Sequence, residues 1–167
     1  MPSVLITLGS NIDKEYNLPK SMEALRQQPT ITLVTVSPIY ETAPVGHSSI
    51  QSTFTQPTFY NAAAWIETEL APAALRELLR TIEVTLGRVR TADKSAPRPI
   101  DLDIAFYGQA KLTLAGRQIP DPDVARFPHL ALPLADIAPT WQHPESGRML
   151  YQIADHLAHS ETEIRKL

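Results

Sequence analysis

The 167-residue sequence contains no cysteine. This absence excludes disulfide bonds and thiolate metal sites, and it fits a reducing compartment. No uncharged apolar run approaches the roughly 18 residues of a membrane-spanning helix, and residues 1–9 lack the basic region and long apolar stretch of a signal peptide. The net charge is −3, so overall electrostatics give no support for a nucleic-acid partner. We therefore expect a cytoplasmic protein that binds neither membranes nor nucleic acids.

Several common site motifs are also missing. The six glycines form no Gly-x-x-x-x-Gly-Lys-Ser/Thr loop and no Gly-x-Gly-x-x-Gly turn, and the sequence has no His-Glu-x-x-His. A P-loop is thereby excluded. The length fits one domain over residues 1–167, and we find neither repeats nor a clear linker.

Alternating and helical apolar patterns predict six elements. Strands are expected over residues 3–8, 31–37, 59–69 and 98–107, and helices over 17–28 and 72–86. The order β-α-β-β-α-β predicts an α+β, ferredoxin-like fold, an antiparallel sheet with both helices on one face.

The rest of the chain carries weaker patterns. Gly9, Ser10 and Asn11 are expected to form a turn. Residues 38–57 are predicted to be irregular. The proline-rich part from about residue 112 is predicted to be a C-terminal extension of the domain, ending in a weak helix over 148–159.

The most informative segment is the strand over residues 98–107. Period two places Ile100, Leu102, Ile104 and Phe106 on one face, and Asp101 and Asp103 on the other. The Cα atoms of the two aspartates are then about 6.6 Å apart, and like charges at that spacing repel. A hard divalent cation bridging both carboxylates to substrate phosphates would offset this repulsion. A solvated edge strand, in which alternating aspartates are ordinary, is the alternative.

A basic run precedes this strand. Arg88, Arg90, Lys94 and Arg98 place four cations within eleven residues of predicted loop. Guanidinium groups match phosphate oxygens with paired donors, and phosphoryl-transfer sites combine such cations with metal ions. The run thus indicates a phosphate-binding loop, with a solvated basic surface as the alternative.

Ordered motifs connect these features to a known family. They are Leu8-Gly-Ser-Asn11, Tyr40-Glu-Thr-Ala-Pro-Val-Gly46, Gln56-Pro-Thr-Phe-Tyr-Asn61, Gly87-Arg-Val-Arg90, Pro97-Arg-Pro-Ile-Asp-Leu-Asp-Ile104 and Leu132-Pro-Leu-Ala-Asp-Ile-Ala-Pro139. Over residues 3–155 the chain resembles the 6-hydroxymethyl-7,8-dihydropterin pyrophosphokinase family. The resemblance implies a ferredoxin-like enzyme of folate biosynthesis that transfers pyrophosphate from ATP to a pterin alcohol and releases AMP.

The resemblance also implies roles for individual residues. Asp101 and Asp103 would hold two Mg²⁺ ions, and Arg88 and Arg98 would grip the phosphates during catalysis. ATP would be bound by a further set, which comprises Glu83, Arg90, Ile104, Asp121 and Arg126. The pterin would be bound by Thr42, Pro44, Val45, Phe59, Asn61 and His129.

The chain departs from the family pattern in one region. Asp121 stands where the family has a phosphate-facing histidine, and Phe127 stands where it has an arginine, for which the adjacent Arg126 is a substitute. His129 replaces the second ring-stacking aromatic, with a buried packing role as its alternative. Ser95 replaces a loop tryptophan, and the connection from Gly46 to Gln56 is longer than usual.

These departures bear on affinity and acceptor identity. The alternatives to the standard enzyme are a pyrophosphokinase with a modified acceptor, a catalytically silent pterin- or nucleotide-binding module, and a small RNA-binding domain of the same fold. We expect small-molecule substrates and a monomer.

Overall fold

The computed structural model describes residues 1–43, 58–92, 97–159 and 163–167. The first half of the described chain contains β1 (Ser3–Ser10), α1 (Lys14–Gln27), β2 (Ile31–Val36), β3 (Tyr40–Thr42), β4 (Phe59–Thr68) and α2 (Pro72–Thr85). The second half contains β5 (Asp101–Tyr107), β6 (Leu112–Leu114), β7 (Arg117–Ile119), a 3₁₀ helix (Pro122–Ala125), α3 (Pro128–Ile137), α4 (Leu150–Ala158) and β8 (Ile164–Lys166).

Six strands form the main sheet. Its order is β5-β1-β4-β3-β8, with β2 also paired to β4, and each of these pairings is antiparallel. The short strands β6 and β7 form a separate hairpin. The predicted ferredoxin-like arrangement is confirmed, with β5 at one edge of the sheet and β8 at the other.

Helices cover both faces of this sheet. Helices α1 and α2 pack on the face that carries Val4, Ile6 and Leu8. The opposite face carries Leu5, which is buried under α3 and α4. Strand β1 is therefore buried on both sides over residues Val4 to Leu8, with helices covering each face.

A bulge in β5 corrects the predicted face of Phe106. Leu5 pairs with Phe106 but the next residue, Ile6, pairs with Ile104, so Ala105 is an extra residue in the ladder. A bulge shifts the alternation of side chains by one residue. Ile104 therefore packs toward α1 and α2, whereas Phe106 packs under α3 and α4. The prediction that both lie on one face was wrong.

Other differences lie at element ends and in the C-terminal third. Gly9 and Ser10 continue β1 instead of turning, and β5 begins only at Asp101. The predicted irregular segment contains β3, and the predicted extension contains α3, which starts with Pro128 in the favoured first position. None of the helices in the described chain is long and apolar enough to cross a membrane.

Candidate active site

The two aspartates lie at the start of the edge strand β5 and differ in their partners. Asp101 accepts hydrogen bonds from Arg88 at 2.8 Å and from Arg98 at 3.1 Å. Asp103 accepts one from Arg117 at 3.0 Å. Burial raises the pKa of Asp101, but the two arginines outweigh burial and hold it below its ordinary value. Burial and then the charge of Asp101 raise the pKa of Asp103, so this side of the pair is short of positive charge.

Glu83 organises the arginines behind the pair. Its carboxylate is 1% exposed and accepts hydrogen bonds from Arg80 at 3.1 Å, Arg88 at 3.0 Å and Arg90 at 2.8 Å, and from the Leu102 N–H at 2.9 Å. Burial raises its pKa to about 7, against the opposing effects of the Leu102 N–H and Arg88. Glu83 thereby ties α2 to the loop arginines and to β5.

The end of β1 holds the segment that carries Arg98. The Asn11 Oδ1 accepts the Arg98 N–H at 2.6 Å, and the Asn11 N–H donates to the Arg98 carbonyl at 3.1 Å. The Ser10 hydroxyl donates to the Pro99 carbonyl at 2.6 Å. These three bonds explain the Leu-Gly-Ser-Asn motif, whose Ser and Asn position Arg98 and do not form the predicted turn.

A row of residues connects the aspartates to the predicted pterin residues. Gly9 pairs with Asp101 on one side and with Asn61 on the other, and Asn61 pairs with Tyr40. Residues paired across antiparallel strands point to the same face. Gly9 has no side chain, so the row has an open centre, flanked by Asp101 and by Asn61, whose amide donates to Thr42 Oγ1 at 2.9 Å.

A cleft of about 360 Å³ opens beside β5 on the α2 side. Its lining combines apolar side chains with three arginines and Asp103: Leu79, Leu102, Ile104, Leu114, Ile119, Gln118, Arg76, Arg80, Arg117 and Asp103. Small-molecule sites are typically apolar with a few placed polar groups, and this lining has that character. Ile104, which the resemblance assigns to the nucleotide site, lines this cleft.

Asp121 and Arg126, which lie in the region where the chain departs from the family pattern, occupy different surroundings. Asp121 is buried, accepts the Asp123 N–H at 2.9 Å and lies 3.6 Å from Arg117. Burial raises its pKa. Arg126 is 68% exposed, and its ion-pair partner is Asp123 at 3.4 Å, so the structure does not bring it to the carboxylate pair.

The two aromatic positions of the predicted pterin site lie in different environments. The His129 ring lies 5.5 Å from the Phe127 ring, and burial lowers the pKa of His129 to about 4. Phe59 pairs with Thr42 at the start of β4. Pro44, Val45, Lys94, Ser95 and the connection 46–56 lie outside the described residues.

Three residues of the site were missed by sequence reasoning. Arg76 and Arg80 are spaced by one helical turn on α2, a signal that the chain offered, whereas Arg117 is a single arginine in a short hairpin. Within the described part of the chain, no three His, Cys, Asp or Glu side chains are grouped to hold a metal alone. A cation at Asp101 and Asp103 would take its remaining ligands from substrate oxygens.

Comparison with known proteins matches residues 5–139 to the model of the 7,8-dihydro-6-hydroxymethylpterin-pyrophosphokinase family. The chain belongs to this family. It is 34% identical over 151 residues to the 2-amino-4-hydroxy-6-hydroxymethyldihydropteridine pyrophosphokinase of Pseudomonas aeruginosa, covering 90% of this chain and 88% of the relative. The Haemophilus influenzae enzyme of the same name is 34% identical over 160 residues, covering 93% and 96%. The predicted family resemblance is confirmed.

Solved structures agree at the level of the fold. The crystal structure of wild-type Plasmodium falciparum HPPK-DHPS is similar with a TM-score of 0.66 at 14% identity over 93% of this chain. The chain spans 43% of that longer protein. All candidate residues named above lie within the region that matches the pyrophosphokinase family.

Proposed function

We propose that this chain transfers pyrophosphate from ATP to the hydroxymethyl group of 6-hydroxymethyl-7,8-dihydropterin and releases AMP. Family membership supports this reaction and its place in folate biosynthesis, and it does not favour a silent binding module or an RNA-binding domain. The observation that carries the proposal is the arginine-paired carboxylates Asp101 and Asp103, of which Asp103 lines a cleft that also holds three arginines and several apolar side chains.

ATP is the substrate that the cleft suits best. The apolar lining, which includes Leu79 and Ile104, would contact a flat purine base, and Arg117 and Arg80 would pair with the anionic phosphates. Arg88 and Arg98, held by Glu83 and Asn11, lie beyond Asp101 and provide charge for the transferring group.

Magnesium fits the donor set of the pair. Two carboxylates on one face of a strand are hard oxygen ligands. Asp103 shares Arg117 with Asp121, and burial followed by the charge of Asp101 raises its pKa. Asp101 and Asp103 would hold two ions. When bound, Mg²⁺ neutralises phosphate charge and acidifies a nearby hydroxyl.

The proposed pterin site lies on the side of Gly9 opposite to Asp101, beside Asn61 on β4. Asn61 and Thr42 present an amide and a hydroxyl to a ring edge, and Phe59 and His129 supply rings for stacking. Strands are about 4.8 Å apart, so Asn61 lies roughly 10 Å from Asp101 across the sheet. A pterin bound at Asn61 can therefore extend its hydroxymethyl group toward the β-phosphorus of ATP beside the carboxylate pair.

The protein contributes position and charge in this reaction. The attacking hydroxyl and the leaving AMP must lie in line on either side of the β-phosphorus, and the arginines stabilise the charge on its oxygens. We further propose that the chain acts as a monomeric single domain with the standard pterin acceptor. A cytoplasmic location stays a prediction from the sequence.

The test is release of AMP from ATP, Mg²⁺ and 6-hydroxymethyl-7,8-dihydropterin. Asp103→Ala is expected to lower turnover at least about a hundredfold, because it removes an oxygen ligand of the Mg²⁺ ions that would neutralise the charge on the transferring group. Asp123→Ala is the matched control, since Asp123 is half-exposed and its ion-pair partner is Arg126. Equal turnover in the two variants would contradict the role of the pair, and the absence of AMP release by the unaltered chain would refute the reaction.

A further inference from the structure

The C-terminal strand β8 lies beyond the part of the chain that matches the family, which ends at residue 139. It pairs with β3 in register, as Tyr40 with Lys166, Glu41 with Arg165 and Thr42 with Ile164. The Leu167 N–H extends the ladder by donating to the Ile39 carbonyl at 2.9 Å. The three-residue strand β3 is thus enclosed between β4 and β8.

Side chains fasten the same strand pair. Arg165 donates to Glu41 at 2.7 Å, and Glu41 also accepts the Thr58 hydroxyl at 2.9 Å. Glu41 therefore connects β8 to the residue that precedes β4.

A second fastening lies one residue away. The Asp136 carboxylate on α3 accepts the Tyr40 hydroxyl at 2.5 Å and lies 3.4 Å from the Lys166 Nζ. The Lys166 Nζ also lies 5.7 Å from the centre of the Tyr40 ring, within the range of a cation–π contact. Both cations of β8 thus have partners on or beside β3.

We propose that β8 is a positioning element of the pterin site, acting through β3 on Thr42. The inference rests on the proposed function, because Thr42 and its partner Asn61 are the proposed pterin ligands. A strand of three residues has little stability of its own, and its free edge would leave backbone groups unpaired. Pairing with β8 removes that free edge and fixes the backbone position of Thr42.

The position of β8 in the sheet makes its effect selective. Strands β1 and β4 separate β3 from β5, so β3 lies about 14 Å from the carboxylate pair at the usual strand spacing. Loss of β8 is therefore expected to loosen the pterin side and leave the ATP side in place.

The experiment compares the chain with a variant that lacks residues 163–167. The KM for the pterin is expected to rise about tenfold while the KM for ATP changes less than about twofold, because only the edge at β3 is loosened. Thermal unfolding identifies a deletion variant that fails to fold. In that case the double variant Arg165→Ala/Lys166→Ala, which keeps the backbone pairing, is expected to show the same selectivity at about threefold.

Two controls sharpen the result. Arg165→Lys keeps a cation for Glu41 and is expected to keep the original pterin KM. Arg26→Ala removes an exposed ion pair with Glu23 on α1, an element that does not pair with β3 or β8. Unchanged pterin KM in the deletion and the double variant, or equal rises in both Michaelis constants, would overturn the inference while AMP release continues. Loss of AMP release in the unaltered chain would instead refute the proposed function and the inference with it.

Discussion

Asn11→Ala is expected to separate positioning of the phosphate loop from stability of the fold. Asn11 is 7% exposed, and its Oδ1 accepts the Arg98 N–H at 2.6 Å. Removing the acceptor deletes this hydrogen bond, which costs about 1.5 kcal/mol of unfolding free energy. For a chain of this length that corresponds to a fall in Tm of about 3–6 °C. Since Arg98 also loses its fixed position beside Asp101, turnover is expected to fall at least about tenfold.

Asn17→Ala is the matched control for this variant. Asn17 is also 7% exposed, and its amide donates to the Ile12 carbonyl at 2.7 Å, a side-chain-to-backbone bond of opposite direction that does not include Arg98. Urea or thermal unfolding of both variants, combined with AMP release, gives the comparison. A similar loss of stability with normal turnover in Asn17→Ala supports the positioning role. Equal turnover in the two variants would refute it.

Two further predictions concern the pterin side. Gly9→Ala is expected to fold normally, because an added Cβ would lie 3.6 Å from the Asn61 Oδ1, an ordinary contact distance. The variant is expected to raise the pterin KM, because its methyl group fills the open centre of the row. An unchanged pterin KM would mean that the pterin binds elsewhere. His129 has its pKa lowered to about 4 by burial, so the unfolded chain binds its proton more tightly and stability is lost as the pH falls from 6.5 toward 4. Between pH 7 and pH 5, the unfolding free energy of His129→Gln is expected to fall by about 1–2 kcal/mol less than that of the unaltered chain. Equal falls in the two proteins, measured by urea unfolding at each pH, would contradict burial of a neutral imidazole.

The sequence predicted the fold where local pattern and tertiary structure agree. The apolar stripe that begins at Leu75 in α2 and the β-rich segments of β1 and β4 formed as expected, because each buries one periodic face. The bulge at Ala105 could not be predicted, since an alternation of Ile104 and Phe106 reads as one face unless the partner strand is known. Strand β8 could not be predicted either, because three residues are too few to show an alternating apolar pattern.

The site residues that were predicted from the sequence are likewise those whose positions depend on local pattern. Asp101 and Asp103 were predicted together because two residues of one strand share a face whatever the rest of the fold does. Arg117 was missed because its approach to Asp103 depends on how the hairpin of β6 and β7 folds back on β5. Glu83 was predicted as a nucleotide-site residue, and its bonds to three arginines appear only when α2 and the loop meet. Long-range contacts of this kind have no signature in a single sequence.

The contacts of Asp121 change the expected effect of having an aspartate where the family has a histidine. From the sequence, an anion in place of a histidine is expected to repel the triphosphate. In the structure the Asp121 carboxylate is buried, with one oxygen on the Asp123 N–H and the other 3.6 Å from Arg117, which also binds Asp103. Asp103 and Asp121 therefore share one guanidinium, whereas Asp101 contacts two arginines, of which Arg88 also binds Glu83. Burial is the main cause that raises the pKa of both Asp103 and Asp121, and the charges of neighbouring carboxylates raise it further. Under the proposed metal site, the Asp121 carboxylate would add to the attraction for the cation, and its ion pair with Arg117 would offset part of its repulsion of the phosphates.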